Sequence, residues 1–170
     1  MKKIYFAGLL IMLTISSCRK FIDVGNPATQ LTSATVFSSD ATAIAAQLAI
    51  YAQMEGDGFL YNLSVATALS GDEMTNYDPS PDRIDLYRNN LRPENANTSS
   101  LWNQLYDFIY KANAVNEGVE KSKTVSEAVK KQIKGEALFV RAFCHFYLAQ
   151  LFGEVPVVIS TDYQQNAIAS

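Results

Sequence analysis

Residues 124–156 read TVSEAVKKQIKGEALFVRAFCHFYLAQLFGEVP, and the fold class is decided there. Thr124-Val125-Ser126-Glu127 has the form of a capping box, in which Thr124 and Glu127 each satisfy an orphan N–H at a helix start. The spacing then predicts a helix to about Phe152. Gly153 suits the position just past a helix end, and Pro156 bars continuation. Val129, Ile133, Ala137, Leu138, Phe139, Val140, Phe143, Phe146, Tyr147 and Leu151 fall on several sides of this helix. A helix apolar nearly all round is expected to be covered on more than one side. Gly135 in its interior costs up to about 1 kcal/mol relative to Ala, which predicts the close approach of a neighbouring helix. Glu136 and Arg141 point roughly 140° apart on a 3.6-residue helix, so each is expected to pair with a different element. Cys144 and His145 lie among aromatics and read as a buried thiol and a satisfied core imidazole.

Working outward, Leu101, Leu105, Phe108, Ile109, Ala112, Val115 and Val119 define one face of a second long helix, starting at Ser99 or Ser100. The two form a helical hairpin. Trp102 is expected in its core, with a platform for stacking a sugar as the alternative. Earlier, Ser38, Ser39 and Asp40 are N-cap candidates for a helix with Ile44, Leu48, Tyr51 and Ala52, ended by Gly56 and Gly58. A shorter helix carries Leu63, Ala66 and Leu69 and stops at Gly71. Val155 to Ile159 reads as a brief strand. Gly71 to Ser100 holds three of the five prolines and several Asn, so it reads as a long loop with a short helix near Ile84–Tyr87. The expected fold is mostly α, with long loops and little strand. A two-sided apolar helix calls for further layers, so residues 18–170 are expected to be the N-terminal part of a larger helical domain.

Composition narrows the function. The net charge is −3 and no basic face is visible, which argues against a nucleic-acid partner. One His and two Cys fall short of the roughly four ligands of a structural zinc site. Asp72 and Glu73 are adjacent, whereas an acid/base pair must flank one bond. They are expected to end a helix and organise the loop. Asp78, Asp82 and Asp85 do not match a calcium-binding EF-hand, although a calcium site there stays an alternative. No catalytic residue, metal or cofactor is expected. Sugar recognition needs a flat aromatic face for the C–H surface and planar polar groups for the hydroxyls. The Gly71–Ser100 region offers both. The candidate ligand residues are Asp72, Tyr77, Asp78, Arg83, Tyr87 and Asn89, with Asn90 beside them; a plain solvated loop is the alternative.

The N-terminus reads as an address. Lys2 and Lys3 precede the uncharged run Ile4–Ile15, which is shorter than the roughly 20 residues of a membrane-spanning helix. It fits a secretory signal over residues 1–17. Ile15-Ser16-Ser17-Cys18 has the small-residue pattern of bacterial lipoprotein precursors, in which the Cys18 thiol is lipidated and the chain is cut before it.

In family order, these pieces resemble the SusD/RagB family of outer-membrane nutrient-binding lipoproteins. They begin with Ile15–Cys18 and Phe21-Ile22-Asp23-Val24. Pro27, Leu31-Thr32, Val36-Phe37 and Gly71-Asp72-Glu73 follow. Trp102-Asn103-Gln104-Leu105-Tyr106 comes next, then Lys134–Phe143 and Gly153–Pro156. The resemblance implies tetratricopeptide-like helical hairpins. It also implies a non-catalytic protein at the cell surface, lipid-anchored in the outer membrane. Such a protein binds oligosaccharides or sometimes peptides, and partners a SusC-like TonB-dependent transporter. Family members are much longer, so the likeness covers their N-terminal region. A lipid-anchored helical scaffold for other proteins is the rival expectation.

Overall fold

The structure is a computed structural model and describes residues 33–56 and 58–167. The leader 1–17 and Cys18 lie outside the described residues. Seven helices follow one another among those described: α1 Ser33–Val36, α2 Asp40–Gly56, α3 Phe59–Ser70, α4 Pro81–Tyr87, α5 Ala96–Lys121, α6 Glu127–Phe152 and α7 Tyr163–Asn166. No strand forms among them. The architecture is therefore mostly α, as the sequence predicts.

The hairpin of α5 and α6 is the frame. Every residue of the predicted α5 face is buried, from Leu101 through Leu105, Phe108, Ile109, Ala112 and Val115 to Val119. Ile133, Ala137, Val140, Cys144 and Leu148 form the buried face of α6. The shorter helices α2 and α3 close the core with Ala43, Ile50, Phe59, Leu63, Ala66 and Leu69. Phe59 meets Phe108 edge-on at 5.2 Å between ring centroids, the arrangement that aromatic quadrupoles favour. Burying each such side chain contributes about 1.5–3 kcal/mol relative to leaving it in water.

The starts of both hairpin helices differ from expectation. α5 begins at Ala96, because buried Asn95 caps it: its Oδ1 accepts the Thr98 N–H at 3.2 Å. The predicted capping box at Thr124 does not form. α6 begins at Glu127 with Ser126 as its N-cap residue. The Ser126 N–H and hydroxyl both donate to the Asp40 carboxylate at 2.7 Å. A charged acceptor from the start of α2 outcompetes a neutral local hydroxyl. These bonds, the one from the Ser126 N–H first, hold the Asp40 carboxyl below its ordinary value. Thr124 instead donates to the carbonyl of Phe37, as does Ser122 at 2.7 Å.

The expectation for Gly135 is overturned. A Cβ built there meets nothing within 4 Å. The close approach occurs at Gly118 of α5, where an added Cβ would overlap the ring of Phe37. At the end of α3, Gly71 is right-handed and Asp72 takes the left-handed position with φ 59°. Glu73 and Met74 then donate their N–H groups back to the Ala68 carbonyl, so these acids do end the helix.

Two further expectations are corrected. α6 is covered on one side only among the described residues: Phe139 and Phe146 are 65% and 58% exposed. Val155–Ile159 runs without β pairing, because side chains of the hairpin claim its backbone. Tyr106 donates to Pro156 O at 2.9 Å, Asn113 to Val158 O and Arg141 to Ile159 O, each at 3.3 Å. Arg141 thus reaches other elements, as expected. Glu136 does not; it accepts from Gln132 on its own helix.

Gly118→Ala is expected to destabilise the fold by about 1–3 kcal/mol through overpacking against Phe37, read as a lower urea midpoint. The Asp40 bonds predict a pH effect of defined sign. A carboxyl depressed in the folded state gives stability that is complete above its unfolded value and lost as pH falls through the folded one. Below pH 3.8, the ordinary value for Asp40, the thermal midpoint of the parent should therefore fall more steeply than that of Asp40→Asn. Parallel acid limbs would disprove the role given to Asp40.

Candidate functional site

The segment between α3 and α5 is braced from within, and Arg92 is its hub. Arg92 Nε donates to Asp85 at 2.7 Å and a second guanidinium nitrogen donates to Asp82 at 3.1 Å. The bond to Asp85, and then the charge of that carboxylate, raise the Arg92 guanidinium above its ordinary value. Asn95 Nδ2 adds a bond to the Asp82 carbonyl at 2.9 Å. Asp78 is engaged separately. Its N–H donates to Asn76 Oδ1 at 3.1 Å, and its own Oδ1 accepts from the Ser80 N–H at 2.8 Å. Of the three acids, Asp82 and Asp85 therefore face Arg92. Among the described residues no group of three His, Cys, Asp or Glu is placed to hold a metal ion.

The structure sorts the predicted ligand residues into separate places. Asn89 adopts a left-handed φ of 49° and donates from Nδ2 to Ser70 O at 3.1 Å. That bond ties the end of α4 to the end of α3, where Asp72 also sits. The Arg83 guanidinium lies over the ring of Tyr61, 5.9 Å from its centroid. Tyr77 is 91% exposed and Tyr87 is 39% exposed. Asp78 and Asn90 are exposed as well, and the Asn90 N–H bonds Asp85 O at 2.9 Å. Asn89 is thus bonded to Ser70 at the end of α3, Arg83 gains an aromatic partner, and Tyr77 is exposed on the loop.

Behind this loop lies a cleft of about 300 Å³ between α3, α4, the start of α5 and the end of α6. Leu86, Leu101, Leu151 and Phe152 supply apolar walls; Asn89, Thr98 and Gln150 put polar atoms at its edge. Asn89 alone of the predicted residues reaches it. The sequence reading missed Tyr61 and Gln150. Both sit on helices whose apolar periodicity dominates the local signal, and only the fold carries them to the loop and the cleft.

The groups with chemical potential are spent on structure. His145 Nδ1 faces Arg141 O at 2.8 Å, and Nε2 faces the Val158 N–H at 3.2 Å. A backbone N–H only donates, so Nε2 is the acceptor and Nδ1 carries the proton. Cys144 is fully buried, and burial pushes its thiol up to about 12. It is not a thiolate nucleophile at neutral pH. Burial pushes the Glu117 carboxyl up, but the N–H and hydroxyl of Thr161, with Lys121, bring it below its ordinary value. Trp102 is half-buried in an aromatic cluster with Tyr106 and Phe152, at 4.9 and 5.0 Å, as the core reading expects. The arrangement is suited to binding through exposed rings, amides and carboxylates.

Comparison with known proteins agrees with this architecture. A SusD-like family described as "starch-binding associating with outer membrane" matches residues 20–169. The chain belongs to the SusD-like family. Three relatives from Formosa agariphila are similar to it. SusD-like protein P2 is 26% identical over 93% of this chain and 31% of its own length. SusD-like proteins P38 and P25 are each 32% identical, over 49% and 37% of this chain and 16% and 12% of their own lengths. The chain thus spans less than a third of the length of these relatives. No solved structure matches it. No described helix is long and apolar enough to cross a membrane.

Arg92→Ala should loosen the loop without disturbing the hairpin. Amide hydrogen exchange over residues 72–95 is expected to quicken while α5 and α6 keep their protection. Arg92→Lys should fall between, since an ammonium cannot reproduce the forked contact to two carboxylates.

Proposed function

We propose that this protein captures glycans at the bacterial cell surface and passes them to a SusC-like TonB-dependent transporter, without catalysis. In this reading residues 1–17 are a signal peptide, and Cys18 carries the lipid that holds the protein on the outer membrane. Residues 18–170 are the first part of a longer helical domain. Family membership supplies the class of function. The observation that supports a site is the braced segment between α3 and α5, on which Tyr77 is almost wholly exposed, Asp72, Asp78, Tyr87 and Asn89 are exposed and Arg83 is partly so.

The chemistry fits a saccharide. The ring of Tyr77 offers an apolar plate for the C–H face of a pyranose. Asn89 and the carboxylates of Asp72 and Asp78 accept hydroxyl protons, and Arg83 donates to hydroxyl oxygens. Bracing by Arg92 lowers the ordering cost of binding, because the loop is already held in shape. Transfer to the barrel would follow as a rigid-body swing about the protein–protein contact.

Titration of the full-length protein with pooled oligosaccharides tests the reading. Binding is expected, and Tyr77→Ala should weaken it roughly two- to tenfold, the worth of one stacking contact. Absence of glycan binding, with peptide binding or none in its place, would overturn it. Gentle solubilisation of the outer membrane and recovery of the tagged protein should bring down a TonB-dependent barrel in near-equal amount. Other lipid-anchored or soluble proteins instead would favour a scaffold.

A further inference from the structure

The cleft behind the braced loop differs from the loop in chemistry. None of the described residues that line it is charged, whereas the loop carries Asp72, Glu73 and Asp78 in the open. Leu86 and Leu101 are buried walls, Leu151 and Phe152 are half-buried ones, and Leu91 beside them is 52% exposed. A volume of about 300 Å³ is at the low end for ligand pockets and suits one sugar residue better than a chain. Thr98 and Phe152 also border a more open hollow with Ser99, Trp102 and Asn103, so a neighbouring residue has room outside.

The polar atoms of the cleft are sorted by what they have already donated. The Thr67 hydroxyl donates to Leu63 O at 2.9 Å, the Ser70 hydroxyl to Leu86 O at 3.5 Å and the Thr98 hydroxyl to Asn95 Oδ1 at 3.3 Å. A hydroxyl has one proton, so towards a ligand each of these oxygens can only accept. Asn89 gives an amide hydrogen to Ser70 O and keeps Oδ1 without a partner among the described residues. The Gln150 side chain bonds no other described residue, so its amide offers both a donor and an acceptor. A phosphate, sulfate or carboxylate would bring acceptors to acceptors and lose water without gaining a counter-ion. An ammonium would find no carboxylate. The complement is an uncharged group with an N–H or O–H to give, a carbonyl for Gln150 and an apolar end for the leucines. An acetamido substituent has these three parts, whereas a hydroxyl in its place leaves the leucines unmatched.

We propose that the cleft is a subsite for an uncharged N-acetylated sugar residue. Its methyl group lies against Leu86, Leu101 and Leu151, its carbonyl accepts from Gln150 Nε2, and its N–H donates to Asn89 Oδ1. The proposal rests on the glycan-capture reading and narrows it to a class of glycan. Asn89 joins the two places, since it belongs both to the candidate loop residues and to the wall of the cleft.

The test is an array of paired oligosaccharides read with the full-length protein. The members of each pair share linkage and length and differ only in acetamido against hydroxyl at the carbon next to the anomeric one. The N-acetylated member is expected to bind about tenfold tighter, the order of one hydrogen bond and one buried methyl group. Sulfated, uronate and de-acetylated ammonium versions should bind no better than the hydroxyl member. Equal binding within the pairs, or preference for a charged version, would overturn the subsite. In Gln150→Glu a carboxylate of nearly the same shape can no longer donate, and the ratio within pairs is expected to fall to about twofold or less. Gln150 is exposed, and an unchanged thermal midpoint checks that the variant is folded. A tenfold ratio persisting in Gln150→Glu would seat the acetyl group elsewhere and overturn the assignment. Glycan binding without an acetamido preference sinks this proposal alone. Absence of binding to every array member and to pooled oligosaccharides sinks the capture reading with it.

Discussion

Burial of one face of α6 against α5 is the constraint on which the remaining structure depends. Two helices of 26 residues each present long apolar stripes that neither can leave in water. Their union fixes the positions of everything else. The start of α5 carries Asn95, which anchors the loop through Asp82. The middle of α5 carries Asn113 and Glu117, which with Arg141 and His145 of α6 hold residues 158–161. The turn between the helices receives Phe37 and Asp40 from the chain's first described segment. A fault in the α5–α6 contact would therefore reach the loop, the cleft and the outer face of α6 together.

The helices were legible because their causes are local. Apolar spacing located α5, α6, α2 and α3, and Gly153 marked the stop of α6. Two of the errors share one physical origin, which is competition from a residue far away in sequence. Thr124 and Glu127 have the right types for a capping box, yet Asp40 arrives with a full charge and takes the donors of Ser126. Val155–Ile159 has strand composition, yet Tyr106, Asn113 and Arg141 satisfy its carbonyls first. Gly135 announced a close neighbour, and among the described residues the tight contact lies at Gly118. No window of sequence contains both members of any of these pairs.

The candidate site was legible in composition and not in arrangement. A run rich in Asn, Asp, Tyr and Arg marks a polar, aromatic surface wherever it folds. What it cannot convey is that Arg92 consumes Asp82 and Asp85, that Asn89 spends its amide on Ser70, or that Tyr61 of α3 lies beneath Arg83. Those facts follow from α4 packing between α3 and α5. The cleft was invisible for the same reason, since its polar edge draws Gln150 from the far end of α6. Family resemblance reached the family because it compares the whole order of pieces.

The segment after α6 has a further consequence. Extended chain normally exposes a row of N–H and C=O groups that a foreign strand can join. Here the carbonyls of Pro156, Val158, Ile159 and Ser160 and the N–H groups of Val158 and Thr161 are taken by side chains. The apolar side chains Val157 and Ile159 remain outward, but the backbone beneath them offers little to pair with. A stretch with the composition of a sticky sheet edge is thereby blunted against strand addition. It keeps its side chains for contacts between packed surfaces.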